Sequence, residues 1–495
     1  METYTLAVDQ GTGGTKAVIF NSSAQIVAKG FEELQSRYPQ HGFVEQNPLE
    51  IYQSVLHAVR KCVDQFKQAG GRPERLRLCG IANQRETFVL WDKQGTPLHD
   101  AVVWQCKRSV GICNQLKKTP LEKMIVERTG LAVDPYFSGT KIKWLYENVD
   151  AVRQMIDKGR AFGGTVDAWL LYKLTDGKRF LTDYTNASRT LFFNIDKLAW
   201  DRELLEAFGV AKLHLPEPCP SAYAFGETTF EGILTRPIRI TGMIGDSHAA
   251  AFGETCFESG DVKATLGTGC SILMNTGVKR VPSKNGLVST ICWSLPGVTT
   301  YALEGIIVSS GATIKWLRDQ LRLFVHTRDT ETMANSVADN NGVYLIPAFS
   351  GLGAPYWKMN SHAVISGLTF GADRNHIVRA ALESIAYQIK DVVSVMEAES
   401  GVPLKELMTD GGITGNNFVM QFIANLLNVQ VRNIGMEEVS ALGAAYMAGL
   451  EGGVYEDISQ LKEISHAQRR FLPGDKRATV LENYRGWQAA LKQLL

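Results

Sequence analysis

The chain has no Cys-x-x-Cys pair among its eight cysteines, no strong charge of either sign, and no basic run ahead of an apolar segment at its amino terminus. It also has no charge-free apolar stretch of the roughly 18 residues a membrane helix needs. Each absence excludes something. Cys62, Cys79, Cys106, Cys113, Cys219, Cys256, Cys270 and Cys292 are scattered, so a zinc site has little support. A 495-residue chain does not need disulfides to fold, and reduced, mostly buried thiols suit the cytoplasm. The opening METYTLAVDQ lacks the pattern of a secretory signal. With 52 basic and 51 acidic residues, the net charge of +1 argues against a nucleic-acid surface or an acidic partner. An apolar fraction of 45% with 21% charged residues is ordinary for a soluble globular protein, and the length predicts two or more domains.

What is present is organised around residues 6–20, LAVDQGTGGTKAVIF. Two apolar runs flank a glycine-rich break, the pattern of a hairpin. The break offers Asp9, Thr12, Gly13 and Lys16. Glycine lets backbone N–H groups approach an anion, Thr and Lys add donors, and Asp can hold Mg²⁺. It is not a Walker A loop, because GxxxxGK[ST] is absent and the second run reads as a strand. The stretch reads either as a phosphate and metal site or as a polar turn. A second strand, Gly-Thr-Gly break and strand recurs at 263–275, with Thr268 in the break. We read it as a weak internal duplication, two α/β domains each with one hairpin, divided as 1–253 and 254–495.

Between the hairpins, 26–33 reads as a strand, 49–70 as a helix with Ile51, Val55, Val59, Val63 and Phe66 near one face, and 76–82 as a buried strand. Residues 108–158 are mostly helical, broken near Asp134-Pro135-Tyr136. Residues 238–244 form a strand that ends at Gly245-Asp246 and opens a small-residue helix. In the second half, 308–321 and 375–399 are helices, Gly411-Gly412 leads to a helix opened by Asn416 or Asn417, and 441–450 is a small-residue helix able to pack close to another backbone.

Glycine-rich breaks follow apolar strands at Gly11, Gly245, Gly267 and Gly411, a pattern that points to two lobes clasping a nucleotide. Asp246 reads as a general base facing a cleft or as a helix cap. Arg85-Glu86 reads as a polyol-binding pair, in which Arg donates and Glu accepts, or as a surface pair. Trp104 is either core or an apolar wall for a carbon chain.

Taken in order, DQGTGGTKAVIF, YPQHGFVEQNP, NQRETF, VVWQCKR, DPYFSGTKIKWL, DYTNASRTLFFNI, GTGC, NGVYLIPAFSGLGAPYW, DGGITGNNFVMQF and ALGAAYMAGL resemble the FGGY carbohydrate kinases, and among them the glycerol kinases. The resemblance implies two actin-like ATPase domains, each related to ribonuclease H, with an interdomain cleft. It implies transfer of phosphate from ATP, with Mg²⁺, to a polyol, and a dimer or tetramer. It places Asp246 as the base, Asp9 and Asp246 at Mg²⁺, and Arg85, Glu86, Tyr136 and Asp246 at substrate hydroxyls, with Trp104 against the carbons. It places Thr12, Gly13, Lys16 and Thr268 at phosphates, and Gly311, Lys315, Gly412 and Asn416 near the nucleotide.

Two positions depart from the pattern. Ser247 stands where these kinases usually carry Gln, and Ser271 where they usually carry Phe. Unless other side chains fill the space, the acceptor pocket is larger and more polar, which favours a longer polyol or a ketose such as a tetritol, dihydroxyacetone or a pentulose. The segment 230–239 poorly matches the loop some members use for fructose 1,6-bisphosphate, and 222–232 has no histidine to phosphorylate.

Overall fold

The computed structural model describes residues 3–358, 360–464 and 469–495. Two sheets form its core. The first runs Ala222–Thr228, Ile238–Gly245, Leu76–Asn83, Tyr4–Gly11, Gly14–Phe20, Ile26–Glu33. The second runs Val288–Leu295, Val298–Ile307, Cys270–Gly277, Asp261–Leu266, Glu406–Asp410, Gln430–Asn433, Arg469–Phe471.

The two sheets repeat one scheme. In the first, Tyr4–Gly11 pairs antiparallel with Gly14–Phe20, and that strand with Ile26–Glu33. On its other side Tyr4–Gly11 lies parallel to Leu76–Asn83, which is parallel to Ile238–Gly245. In the second, Asp261–Leu266 pairs antiparallel with Cys270–Gly277, and that strand with Val298–Ile307. Its other neighbour, Glu406–Asp410, is parallel, and so is Gln430–Asn433 beyond it. Each sheet closes on an antiparallel edge strand. The duplication read from two Gly-Thr-Gly breaks thus extends through six strands of each sheet.

The long helix Pro48–Gln68 follows its apolar period. Ile51, Val55, Val59, Val63 and Phe66 are all buried, and Asn47 caps it by accepting from the Leu49 and Glu50 amides. The segment 108–158 divides into four helices, Val110–Leu116, Leu121–Thr129, Ser138–Asn148 and Asp150–Asp157. Gly130, left-handed at φ 75°, ends the second of these, a conformation that favours glycine. Asn416 caps Asn417–Leu427 by accepting from the Val419 amide. All eight cysteines are buried and unpaired. Among the described residues, no helix is long and apolar enough to cross a membrane.

The small-residue helix Val439–Gly452 comes from the carboxy-terminal half of the chain but packs on the first sheet. A Cβ on Gly80 would lie 2.0 Å from the Ala444 carbonyl oxygen, and one on Gly242 2.6 Å from the Ala448 amide. On its other side a Cβ on Gly443 would lie 1.8 Å from the Ala249 carbonyl oxygen, in helix Asp246–Gly253. Backbone thus meets backbone at glycines, and the two helices fill the space between the sheets. Gly443→Ala is expected to lower unfolding stability by about 1–3 kcal/mol, the usual cost of overpacking, measured by urea denaturation. An unchanged midpoint would mean that this approach is not tight.

Candidate active site

Strand Leu76–Asn83 delivers Arg85 and Glu86 into the cleft between the sheets. Both are buried, Arg85 to 6% and Glu86 to 1% exposure, so the surface-pair reading is wrong. They do not pair with one another. Arg85 Nε lies 3.3 Å from Asp246 Oδ1, and its Nη2 lies 2.8 Å from Glu304 Oε1. Glu86 Oε1 accepts from Arg189 Nε at 2.5 Å, and Arg189 Nη2 lies 2.7 Å from Glu304 Oε2. Two arginines of the first lobe therefore hold one carboxylate of the second.

Burial by itself raises the Glu304 pKa, but the Arg189 and Arg85 guanidiniums outweigh it and hold the carboxyl well below the usual range. Glu86 is raised by burial, against the pull of Arg189 and Arg85. Its backbone is left-handed at φ 61°, a strained state for a non-glycine residue, and its carbonyl accepts from Ser138 Oγ at 2.8 Å. The network leaves open groups. Arg85 Nη1 is buried without a hydrogen-bond partner. A hydroxyl brought to Arg85 and Glu86 would find a donor and an acceptor.

These residues line a cavity of about 330 Å³ together with Asp9, Gly11, Thr12, Trp104, Tyr136, Asp246, Ser247 and Ser271. Trp104 is half-buried and packs edge-on against Tyr136, ring centroids 5.5 Å apart. Its indole N–H donates to Thr12 Oγ1 at 2.9 Å. It is therefore a wall of the cavity as well as a neighbour of the core. Lys141, deep in the same lobe, donates to the Tyr136 carbonyl at 2.7 Å, and burial pushes its pKa down to about 8.

Asp246 opens helix Asp246–Gly253 one residue past its cap, Gly245. Oδ1 accepts from the Ser247 amide at 2.6 Å and faces Arg85. Its side chain is 37% exposed, open to the cleft. Asp9 lies on strand Tyr4–Gly11 in the same cavity. Burial, and then Asp246, push its carboxyl up to about 7. Both penalties would be relieved by a cation between the two carboxylates, so the pair fits Mg²⁺. No group of three or more His, Cys, Asp or Glu side chains suited to a metal occurs among the described residues. An ion held by two carboxylates and otherwise by water and phosphate oxygens agrees with the habits of Mg²⁺.

A larger cavity of about 860 Å³ opens on the other side of the second hairpin. Gly267, Thr268, Gly311, Lys315, Gly412 and Asn416 all line it. Thr12, Gly13 and Lys16 do not. The Thr12 hydroxyl is engaged by Trp104 and Gln84, and Gly13 is exposed. The Lys16 ammonium lies 2.6 Å from Glu438 Oε2, an ion pair across the lobes. Sequence reading missed Glu304, Arg189 and Lys263. Glu304 had a signal: it is the only ionisable side chain but one in the strand Val298–Ile307, the other being Tyr301. Arg189 and Lys263 had none beyond their charge.

The comparisons agree with this architecture. Residues 4–253 match the N-terminal domain of the FGGY family of carbohydrate kinases, and residues 262–451 its C-terminal domain. The chain is 46% identical to a glycerol kinase of Caldanaerobacter subterraneus subsp. tengcongensis, covering 100% of this chain and 99% of the relative. It is also 46% identical to glycerol kinase 2 of Thermotoga maritima, covering 99% of each. A crystal structure of Plasmodium falciparum glycerol kinase with ADP superposes with a TM-score of 0.93 at 32% identity, over 100% of this chain and 98% of that one. With two actin-like ATPase lobes, a cavity on either side of one hairpin and both family domains matched in order, the chain belongs to the FGGY family of carbohydrate kinases.

Proposed function

We propose that the protein transfers the γ-phosphoryl group of ATP to a terminal hydroxyl of glycerol, giving sn-glycerol 3-phosphate and ADP, in the cytoplasm. The observation that carries this reading is that one strand, Asp261–Leu266, serves both cavities. Lys263 and Thr265 line the smaller one, while Leu266 and the Gly267-Thr268 turn line the larger. A nucleotide in the larger cavity and a polyol in the smaller one would meet across a single hairpin.

In the acceptor cavity, Arg85 donates to and Glu86 accepts from the hydroxyls that do not react, Tyr136 offers its phenol to them as well, and Trp104 covers the carbons. Asp246 takes the proton of the attacking hydroxyl as its oxygen bonds to the γ-phosphorus and the bond to the β-phosphate oxygen breaks. The donor's phosphates lie against the Thr268 hairpin turn, while Gly311, Lys315, Gly412 and Asn416 surround the rest of the nucleotide. Asp9 and Asp246 would hold Mg²⁺, which when bound neutralises charge on the phosphates. Such a reaction needs positioning and charge neutralisation more than covalent help. Relatives named as glycerol kinases at 46% identity over essentially the whole chain support the choice of glycerol.

Asp246→Asn is expected to lower kcat by at least about 10²-fold while ADP binding persists. ADP release in a coupled assay and calorimetric titration with ADP read the two effects, and normal turnover would remove Asp246 as the base. Glu304→Gln leaves two buried guanidiniums short of a counter-charge. It is expected to cost about 3–5 kcal/mol of unfolding stability and to raise KM for the acceptor, read by urea denaturation and steady-state kinetics. Stability and KM both unchanged would mean that Glu304 does not order Arg85.

A further inference from the structure

One face of the second sheet carries polar groups that the reaction described above leaves unused. Residues opposite one another on adjacent strands share a face, as do residues two apart on one strand. The register sets Thr265 between Ser271 and Asp410, and Leu273 between Lys263 and Glu304. Lys263, Thr265, Ser271, Asp410 and Glu304 therefore stand on one face, and all but Glu304 line the acceptor cavity. Ser247 reaches the same patch from helix Asp246–Gly253.

The patch is already wired. Lys263 Nζ donates to Ser247 Oγ at 3.0 Å, the Ser247 and Ser271 hydroxyls lie 3.1 Å apart, and Ser271 Oγ donates to Glu304 Oε1 at 3.4 Å. An ammonium only donates and an ionised carboxylate only accepts. The protons therefore run one way, from Lys263 through Ser247 and Ser271 to Glu304. Each serine has committed its proton and received one bond, so each oxygen keeps a lone pair. The Lys263 ammonium keeps two of its three N–H groups. Asp410, 9% exposed, adds a buried Oδ1 with no hydrogen-bond partner. Spare donors and spare acceptors side by side match a hydroxyl, which does both. Lys263 and Asp410 line the patch together with opposite charges that offset one another, which suits a neutral hydroxyl better than a phosphate.

Glycerol does not need this patch. Arg85, Glu86, Tyr136 and Asp246 supply partners for three hydroxyls. We propose that the patch receives a hydroxyl borne on a fourth carbon, so that the site takes a tetritol or a longer polyol as well as glycerol. The inference rests on the phosphoryl-transfer reading above. The chemistry is unchanged: a terminal oxygen takes the γ-phosphoryl group, its proton passes to Asp246, and ADP leaves. Ser271 and Ser247 become specificity residues.

The test is kcat/KM for glycerol, erythritol, threitol and ribitol, by ATP-dependent ADP release, in the wild type, Ser271→Ala and Ser247→Gln/Ser271→Phe. At least one longer polyol is expected to turn over in the wild type with a kcat/KM within about tenfold of that for glycerol. Its ratio to glycerol is expected to fall by about tenfold or more in both variants. Ser271→Ala removes the hydroxyl without adding bulk, and it keeps the test valid if the double variant does not fold. Every longer polyol more than about tenfold below glycerol in kcat/KM, or a ratio that Ser271→Ala leaves unmoved, overturns the proposal and leaves the phosphoryl-transfer reading standing. No turnover with any acceptor overturns both.

Discussion

The acceptor site depends on one buried carboxylate held by two guanidiniums. Glu304 comes from the second sheet, while Arg85 and Arg189 come from the first lobe. Taking any of the three from water alone would be costly, and together they balance most of that cost. Glu86 completes the charge count by pairing with Arg189. The residues that would grip the polyol are thus oriented by a contact between lobes. The strained backbone at Glu86 is held by the same packing. Arg85 also touches Asp246, so the residues proposed as base and as polyol grip share one support.

The donor side is built differently. Its cavity is lined by Gly267, Gly311, Gly412 and Gly415, by apolar side chains such as Ile314, Trp316 and Ile413, and by polar ones such as Thr268, Lys315 and Asn416. Main chain can approach a phosphate where a side chain would stand in the way. In the proposed reading, the smaller cavity would fix hydroxyls through buried ionic groups, whereas the larger one, about 860 Å³, would leave room for a nucleotide. The first hairpin sits with the acceptor side here: Thr12 supports Trp104, and Lys16 ties to Glu438.

How much of this was legible in the sequence follows from the range of the interactions. The hairpins, the stripe from Ile51 to Phe66 and the Asn416 cap are local patterns, and they stand where their spacing placed them. Gly267 and Gly411 directly follow strands, so those breaks could be read from the sequence, whereas Gly311 opens a helix and was placed near the nucleotide by the family resemblance alone. Arg85 and Glu86 were harder. Adjacent opposite charges look like a surface pair, and only partners 103 residues away in Arg189 and in the distant Glu304 make burial possible. Lys16 looked like a phosphate ligand for the same reason: its ion-pair partner is 422 residues along the chain. The serines at 247 and 271 were visible as changes of residue, but their bond to one another was not.

Helix Val439–Gly452 adds a constraint of a different kind. It is encoded near the end of the chain, yet its glycine-matched surface lies on strands made from the first third and from residues 238–245. During synthesis the first sheet is complete long before its covering helix exists. Until then Gly80 and Gly242 mark an open groove on an apolar face. The two sequence halves are therefore not two autonomous folding units. A chain stopped near residue 253 would lack part of its own core, and the finished lobes are joined by shared packing as well as by a linker.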